Sequence, residues 1–164
     1  MSKSTKRTTP HVFDSTDILT KDELAAIKKN YDKDDTALQT LALRAAAALF
    51  YDGRDFVAQV GKLLYGQQTP TDFIDPIDRE VQLLTIFTLT RQWPQLAVHC
   101  YWSLLVGLKP KDVAMTLLLA SLQSGIGEYV SALSVMTKVM QLLKQLAPTE
   151  PTPEDVLGEL QKAF

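Results

Sequence analysis

The chain has 164 residues, 46% of them hydrophobic and 22% charged, which fits one domain with a sizeable core and excludes a disordered protein. The formal net charge of -2 gives no electrostatic reason to expect nucleic acid or a membrane surface as a partner. A single cysteine excludes an internal disulfide, and neither a signal peptide nor a bilayer-spanning stretch is evident, so a cytoplasmic location is expected.

The N-terminal half is predicted to begin with an extended arm over residues 1–17, which show no periodic pattern. Thr20 and Glu23 have the spacing of a capping box, which predicts a short helix to about Asn30. The other elements predicted in this half are helices over residues 36–51 and 55–65 and a polar loop over residues 67–71.

In the second half, proline and glycine mark regularly spaced helix ends, because proline is favoured at the first position of a helix and glycine just after its last. The predicted helices begin at Pro76, Pro94, Pro110 and about Gly127, and they end near Gln92, Gly107, Ser124 and Leu146. No strand-length alternation appears. We therefore expect an all-α bundle of about eight helices in one domain over residues 18–146, with a proline-containing linker and short helix over residues 147–164.

The helices of the second half are apolar on more than one face. In the first of them, Leu83, Leu84, Ile86, Phe87 and Leu89 all fall within two turns. A helix this apolar needs neighbours on most sides. We therefore expect a homo-oligomer, whether dimer, trimer or hexamer.

Glu80 is the first candidate for a chemical role. Its helical neighbours include Leu83, Leu84 and Phe87, so it lies on an apolar stripe. A carboxylate in such surroundings is costly unless it is paired, and a paired, desolvated carboxylate suits proton transfer. The alternative is an acid near the helix start that interacts favourably with the helix dipole.

His99 is the second candidate, on the following helix with Leu96, Trp102 and Val106 on its face. Histidine exchanges protons readily near neutral pH, although a core histidine that only hydrogen-bonds a carbonyl is the alternative. The short turn at Trp93-Pro94 predicts that the two helices pack as a hairpin. Whether Glu80 meets His99 depends on a crossing angle that the sequence leaves open.

Several segments together resemble the carboxymuconolactone decarboxylase family. They are Asp78-Arg79-Glu80, Gln95 to His99, Gly107 to Val113 and the glycine turn Gly125-Ile126-Gly127. The family's usual pattern has Arg-Glu opening one helix, His on the next, and Gly with a short acid-containing cap before the third. The resemblance covers about residues 74–143 and implies an alkyl hydroperoxidase D-like helical bundle.

The thiol peroxidase branch of this family places two cysteines between a Glu and a His that are nineteen positions apart. Glu80 and His99 keep that interval, but Gln92 and Gln95 stand at the cysteine positions. Glutamine forms no thiolate, and Cys100 has no second cysteine to resolve it. We therefore expect no thiol peroxidase activity and interpret Cys100 as a small buried hydrophobe, with residual thiol chemistry as the weaker alternative.

The resemblance instead implies a lyase that needs no metal and no organic cofactor and acts on a small anionic lactone carrying carboxylates. Loss of carbon dioxide leaves an enolate-like anion, to which His99 would donate a proton, while Glu80 orients the imidazole or shares the proton. Arg91, Gln95 and Trp102 are the predicted substrate-binding residues, with a solvated surface charge as the alternative for Arg91.

Trp93 and Tyr129 are further candidate pocket walls, although unplaced aromatics are often core residues. The competing functional hypothesis is a non-enzymatic oligomeric binding or scaffold protein that keeps the fold. It predicts that Glu80 and His99 satisfy each other, far from any solvent-connected cavity.

Overall fold

The structure, a computed structural model, describes residues 18–31 and 75–164, and all regular structure in these two ranges is helical. The helices are α1 (Lys21–Lys28), α2 (Pro76–Leu89), α3 (Trp93–Val106), α4 (Pro110–Ser124), α5 (Ile126–Leu146) and α6 (Pro153–Ala163), with a 3-10 turn at Ala147–Thr149. The predicted all-helical class is thus confirmed. The elements predicted over residues 1–17, 36–51, 55–65 and 67–71 lie outside the described residues.

The helices begin where capping chemistry predicts. Thr20 accepts a hydrogen bond from the Glu23 N–H, and the Glu23 carboxylate accepts one from the Thr20 N–H, which confirms the capping box of α1. Asp75 accepts from the Ile77 N–H at the start of α2, directly before Pro76.

Helix α2 ends earlier than predicted, at Leu89 instead of about Gln92. Arg91 adopts a left-handed backbone with φ +57°, and the Gln92 N–H donates back to the Phe87 carbonyl, as in a Schellman motif. Glycine usually occupies the left-handed position, as Gly107 does after α3 with φ +123°. Because an arginine stands there after α2, the sequence carried no stop signal.

Helix α3 is the centre of the fold. Every residue from Leu96 to Leu105 is buried, as expected for a helix that is apolar all round. Helices α2 and α5 cover it on two sides, and α6 packs against α3 and α5 through Val156, Leu157 and Leu160. The segment after residue 146 therefore shares the core of the preceding helices.

One part of the described surface is strongly apolar. Leu119 and Leu122 on α4 and Ile126 and Val130 on α5 are 60–72% exposed, and we call these four residues the α4–α5 patch. None of the described helices combines the length and the apolar character needed to cross a membrane.

Candidate functional site

The hairpin of α2 and α3 brings Glu80 to His99. The Oε2 atom of Glu80 lies 2.8 Å from the Nδ1 atom of His99, at hydrogen-bond distance. The turn between the helices is short, and the two helices pack against each other. The question left open by the sequence is thus answered: the two candidates form one pair.

Both members of this pair are buried. Glu80 has no exposed surface, and His99 is 7% exposed. A buried carboxylate is costly without partners, so the imidazole is what makes this position tolerable for Glu80. When Glu80 is ionised it only accepts hydrogen bonds, so Nδ1 carries the proton and Nε2 is the nitrogen left for other chemistry.

Two aromatic rings hold the imidazole. The ring centroids of Phe87 and Trp102 each lie 4.9 Å from that of His99, and the Trp102 ring meets it edge to face. Phe87 comes from α2 and Trp102 from α3, so both walls of the hairpin fix the orientation of the ring. Trp102, predicted to bind substrate, is therefore in direct contact with the pair.

Arg79 places a positive charge beside the pair. Its Nε atom lies 3.5 Å from Oε1 of Glu80, the carboxylate oxygen that His99 does not use. The Arg79 side chain is 16% exposed and stands in the first turn of α2, where the helix dipole disfavours a cation. The neighbouring Glu80 carboxylate offsets that unfavourable placement.

The structure places Arg91 against Glu128 at the start of α5. The two guanidinium contacts, Nη2 to Oε1 at 2.6 Å and Nε to Oε2 at 3.0 Å, form a two-pronged ion pair. From Glu80 to Leu89 alone α2 rises about 13 Å, so the backbone of Arg91 lies more than two helical turns beyond that of Glu80. Gln95 lies one turn before His99 on α3 and is half-buried.

Cys100 follows His99 and is completely buried, as expected for a small hydrophobe. Burial raises the pKa of its thiol far above the ordinary value, because the thiolate would be desolvated. The core position therefore disfavours the nucleophilic form of this cysteine.

Tyr101 is a buried polar residue that the sequence did not single out. Its hydroxyl has no hydrogen-bond partner within the described ranges, and the side chain is fully buried. Desolvation, followed by the nearby Glu154 and Tyr31, raises its pKa. No periodic signal distinguishes it from the apolar residues around it on α3.

Trp93 and Tyr129 line grooves that are separate from the pair. Trp93 borders an open groove with Lys138 and Phe164, and Tyr129 borders a small one with Leu122. Neither Glu80 nor His99 lines these two grooves, and neither lines a third groove that contains Met136, Met140 and Lys144.

Within residues 18–31 and 75–164, no three His, Cys, Asp or Glu side chains come together as metal ligands would. Comparison of the chain with models of known protein families, with characterised proteins and with solved structures gives no match. The function is therefore argued from the geometry of the Glu80–His99 pair and from the sequence pattern around it.

Proposed function

We propose that the protein is a cofactor-independent acid–base enzyme of the carboxymuconolactone decarboxylase type, acting on a small carboxylated lactone or a related anion. The observation that carries the proposal is the 2.8 Å contact between Glu80 and His99 inside an apolar hairpin. A carboxylate that holds one imidazole nitrogen and leaves the other for substrate is a common arrangement for general acid–base catalysis.

The pair would act by moving one proton. The bond from the lactone carbon to the substrate carboxylate breaks, carbon dioxide leaves, and the electron pair passes into the conjugated carbonyl as an enolate. Protonated His99 then donates the Nε2 proton to carbon, while Glu80 stabilises the imidazolium before transfer and fixes the ring. Water restores the proton to Nε2 for the next turnover.

Site variants test these roles. Decarboxylation of a carboxylated butenolide, followed by carbon dioxide release, should fall about 10²–10⁴-fold in His99→Ala, which removes the acid. Glu80→Gln should reduce kcat while the fold stays intact. The matched control is His11→Gln, since the chain has only these two histidines. Turnover unchanged in both site variants would overturn the assignment.

A second candidate function, a non-catalytic binding or scaffold protein, is favoured by one observation. Glu80 and His99 are buried and hydrogen-bonded to each other, and neither lines the grooves described above. A pair with this purely structural role would stabilise the fold without turnover. It predicts no decarboxylation by the wild type, whereas a loss of stability in the variants is expected under both hypotheses.

We also propose that the chain forms a homo-oligomer in the cytoplasm. The α4–α5 patch supports self-association, because contiguous exposed apolar surface of this kind marks interaction sites. We propose that the protein's ligand is a small anionic molecule and that the protein binds neither nucleic acid nor a membrane.

A further inference from the structure

A groove that neither Glu80 nor His99 lines runs between α4, α5 and the segment that leads into α1. Its floor contains Met136 and Met140, which are both 1% exposed, and Ile18 forms part of one wall. The groove has a volume of about 210 Å³. Methionine side chains adapt to the shape of an apolar or aromatic group and make favourable contacts with aromatic rings.

One rim of this groove is polar. Thr137, Gln141 and Lys144 follow one another at four and three positions along α5, so they lie on one face over about 10 Å. They offer a hydroxyl, a carboxamide and an ammonium group beside an apolar floor. This combination of an apolar lining with a few polar groups is typical of small-molecule sites.

Lys144 gives the rim its charge. Its Nζ atom lies 3.7 Å from Oε1 of Glu23, whereas a charge-assisted hydrogen bond spans about 2.7–2.9 Å. An ammonium group has three donors, so this long contact leaves Lys144 able to bind another carboxylate. The other oxygen of Glu23 accepts the Thr20 N–H of the capping box, 2.8 Å away.

The size of the groove sets the size of its ligand. An engineered apolar cavity of about 150 Å³ binds benzene, so a groove somewhat larger than this fits a ring with a short chain. We propose that the groove binds a small arylalkyl monocarboxylate, with the carboxylate at Lys144 and the apolar body over Met136 and Met140. This site is independent of the proposed catalytic pair.

Methyl NMR tests the site directly, with 3-phenylpropionate as the probe. The chain has four methionines, and of these Met136 and Met140 line the groove whereas Met115 is 42% exposed on α4. We expect saturable shifts of the Met136 and Met140 methyl signals, with the Met115 signal unchanged. No shift at these two methyls, or an equal shift at Met115, would overturn the proposal.

Charge variants test the ligand class. Lys144→Gln should weaken binding of 3-phenylpropionate by roughly tenfold, the effect of one charged hydrogen bond. Lys138→Gln on the same helix is the matched control and should bind as the wild type does. Glu23→Gln should bind more tightly, because glutamine preserves the capping box but no longer competes for Lys144.

The uncharged probe 3-phenylpropan-1-ol separates charge from apolar burial. It should bind the wild type more weakly than the acid does, and Lys144→Gln should remove the difference. Equal binding of the acid and the alcohol to the wild type would show that the groove accepts any apolar molecule and would refute carboxylate recognition.

Discussion

Glu80 and His99 depend on each other for their place in the core. A buried carboxylate without a partner costs several kcal/mol, and a buried imidazole nitrogen also needs a hydrogen bond. Glu80 has no exposed surface and His99 has very little, so water cannot replace either partner. This mutual requirement holds whether the pair is catalytic or structural.

Replacing one member of the pair by an apolar residue should therefore destabilise the fold more than replacing both. We expect His99→Leu to lower the free energy of unfolding by about 3 kcal/mol, because Glu80 then lacks its main partner. The double variant Glu80→Leu/His99→Leu should recover much of that loss, since both positions become apolar. Urea unfolding followed by circular dichroism measures the difference, and strictly additive losses would contradict this account.

Neutral His99 should occupy one tautomer. If ionised Glu80 accepts the Nδ1 proton, ¹⁵N NMR should show Nδ1 protonated and Nε2 bare in the neutral ring. His11→Gln leaves a single imidazole in the spectrum. Glu80→Gln should weaken the preference, because an amide both donates and accepts. A wild-type ring protonated at Nε2 would instead indicate a protonated Glu80.

Cys100 and Tyr101 should make the free energy of unfolding fall at alkaline pH. Burial raises the pKa of both groups above their ordinary values of 9.0 and 10.0, so the unfolded chain loses these protons while the folded chain keeps them. The contribution of these two protonated groups to stability is therefore fully present below about pH 8.5. Above that pH the free energy of unfolding falls, by at most about 1.4 kcal/mol per pH unit for each group.

Tyr101→Phe should reduce that alkaline loss. Removing the hydroxyl, which has no hydrogen-bond partner within the described ranges, should cost little at neutral pH. Urea midpoints measured from about pH 8 to pH 11 should decline less steeply in the variant than in the wild type. Identical slopes would show that Tyr101 ionises as readily in the folded chain as in the unfolded one.

The sequence predicted the members of the pair but not their contact. The interval from Glu80 to His99 and the short turn between their helices were visible in the residues. The 2.8 Å distance depends on the crossing of two helices, which is decided by side-chain packing along the whole interface. The partner of Arg91 was equally hidden, because Glu128 is thirty-seven positions away on another helix.

At the scale of the helices, the sequence marked the ends of α3, α4 and α5 but not the end of α2. The end of α3 at Gly107 was predicted, since a left-handed residue there favours glycine. The end of α2 at Leu89 was not, because Arg91 adopts the left-handed conformation without being glycine. The side chain of Arg91 forms an ion pair with Glu128.

Arg91 combines backbone strain with a surface ion pair, and two substitutions separate them. A left-handed backbone destabilises a non-glycine residue by about 1 kcal/mol, and an exposed ion pair stabilises the fold by up to about 1 kcal/mol. Arg91→Ala loses the pair and keeps the strain, whereas Arg91→Gly loses both. We expect the glycine variant to be more stable than the alanine variant by about 1 kcal/mol in urea unfolding. Equal stabilities would mean that the turn is unstrained.

At the scale of the whole molecule, α4 and α5 each bury one apolar face in the core and leave a second apolar face exposed. Ala114 and Leu117 on α4 and Met136 and Val139 on α5 lie in the core. The α4–α5 patch lies on the same two helices but faces outward. Apolarity on several faces was visible in the sequence, whereas which face stays uncovered depends on how the helices are arranged.

The α4–α5 patch should therefore mediate self-association. We expect sedimentation velocity to show an oligomer for the wild type, and Leu122→Gln/Ile126→Gln to shift it towards monomer, because these two residues are 70% and 72% exposed. The substitutions should leave the circular dichroism spectrum unchanged, since they remove no buried contact. Ile77→Gln, at a 41% exposed position on α2, is the matched control and should remain associated. A wild type that stays monomeric at about 100 μM, a concentration at which a micromolar dimer would form, would refute this interface.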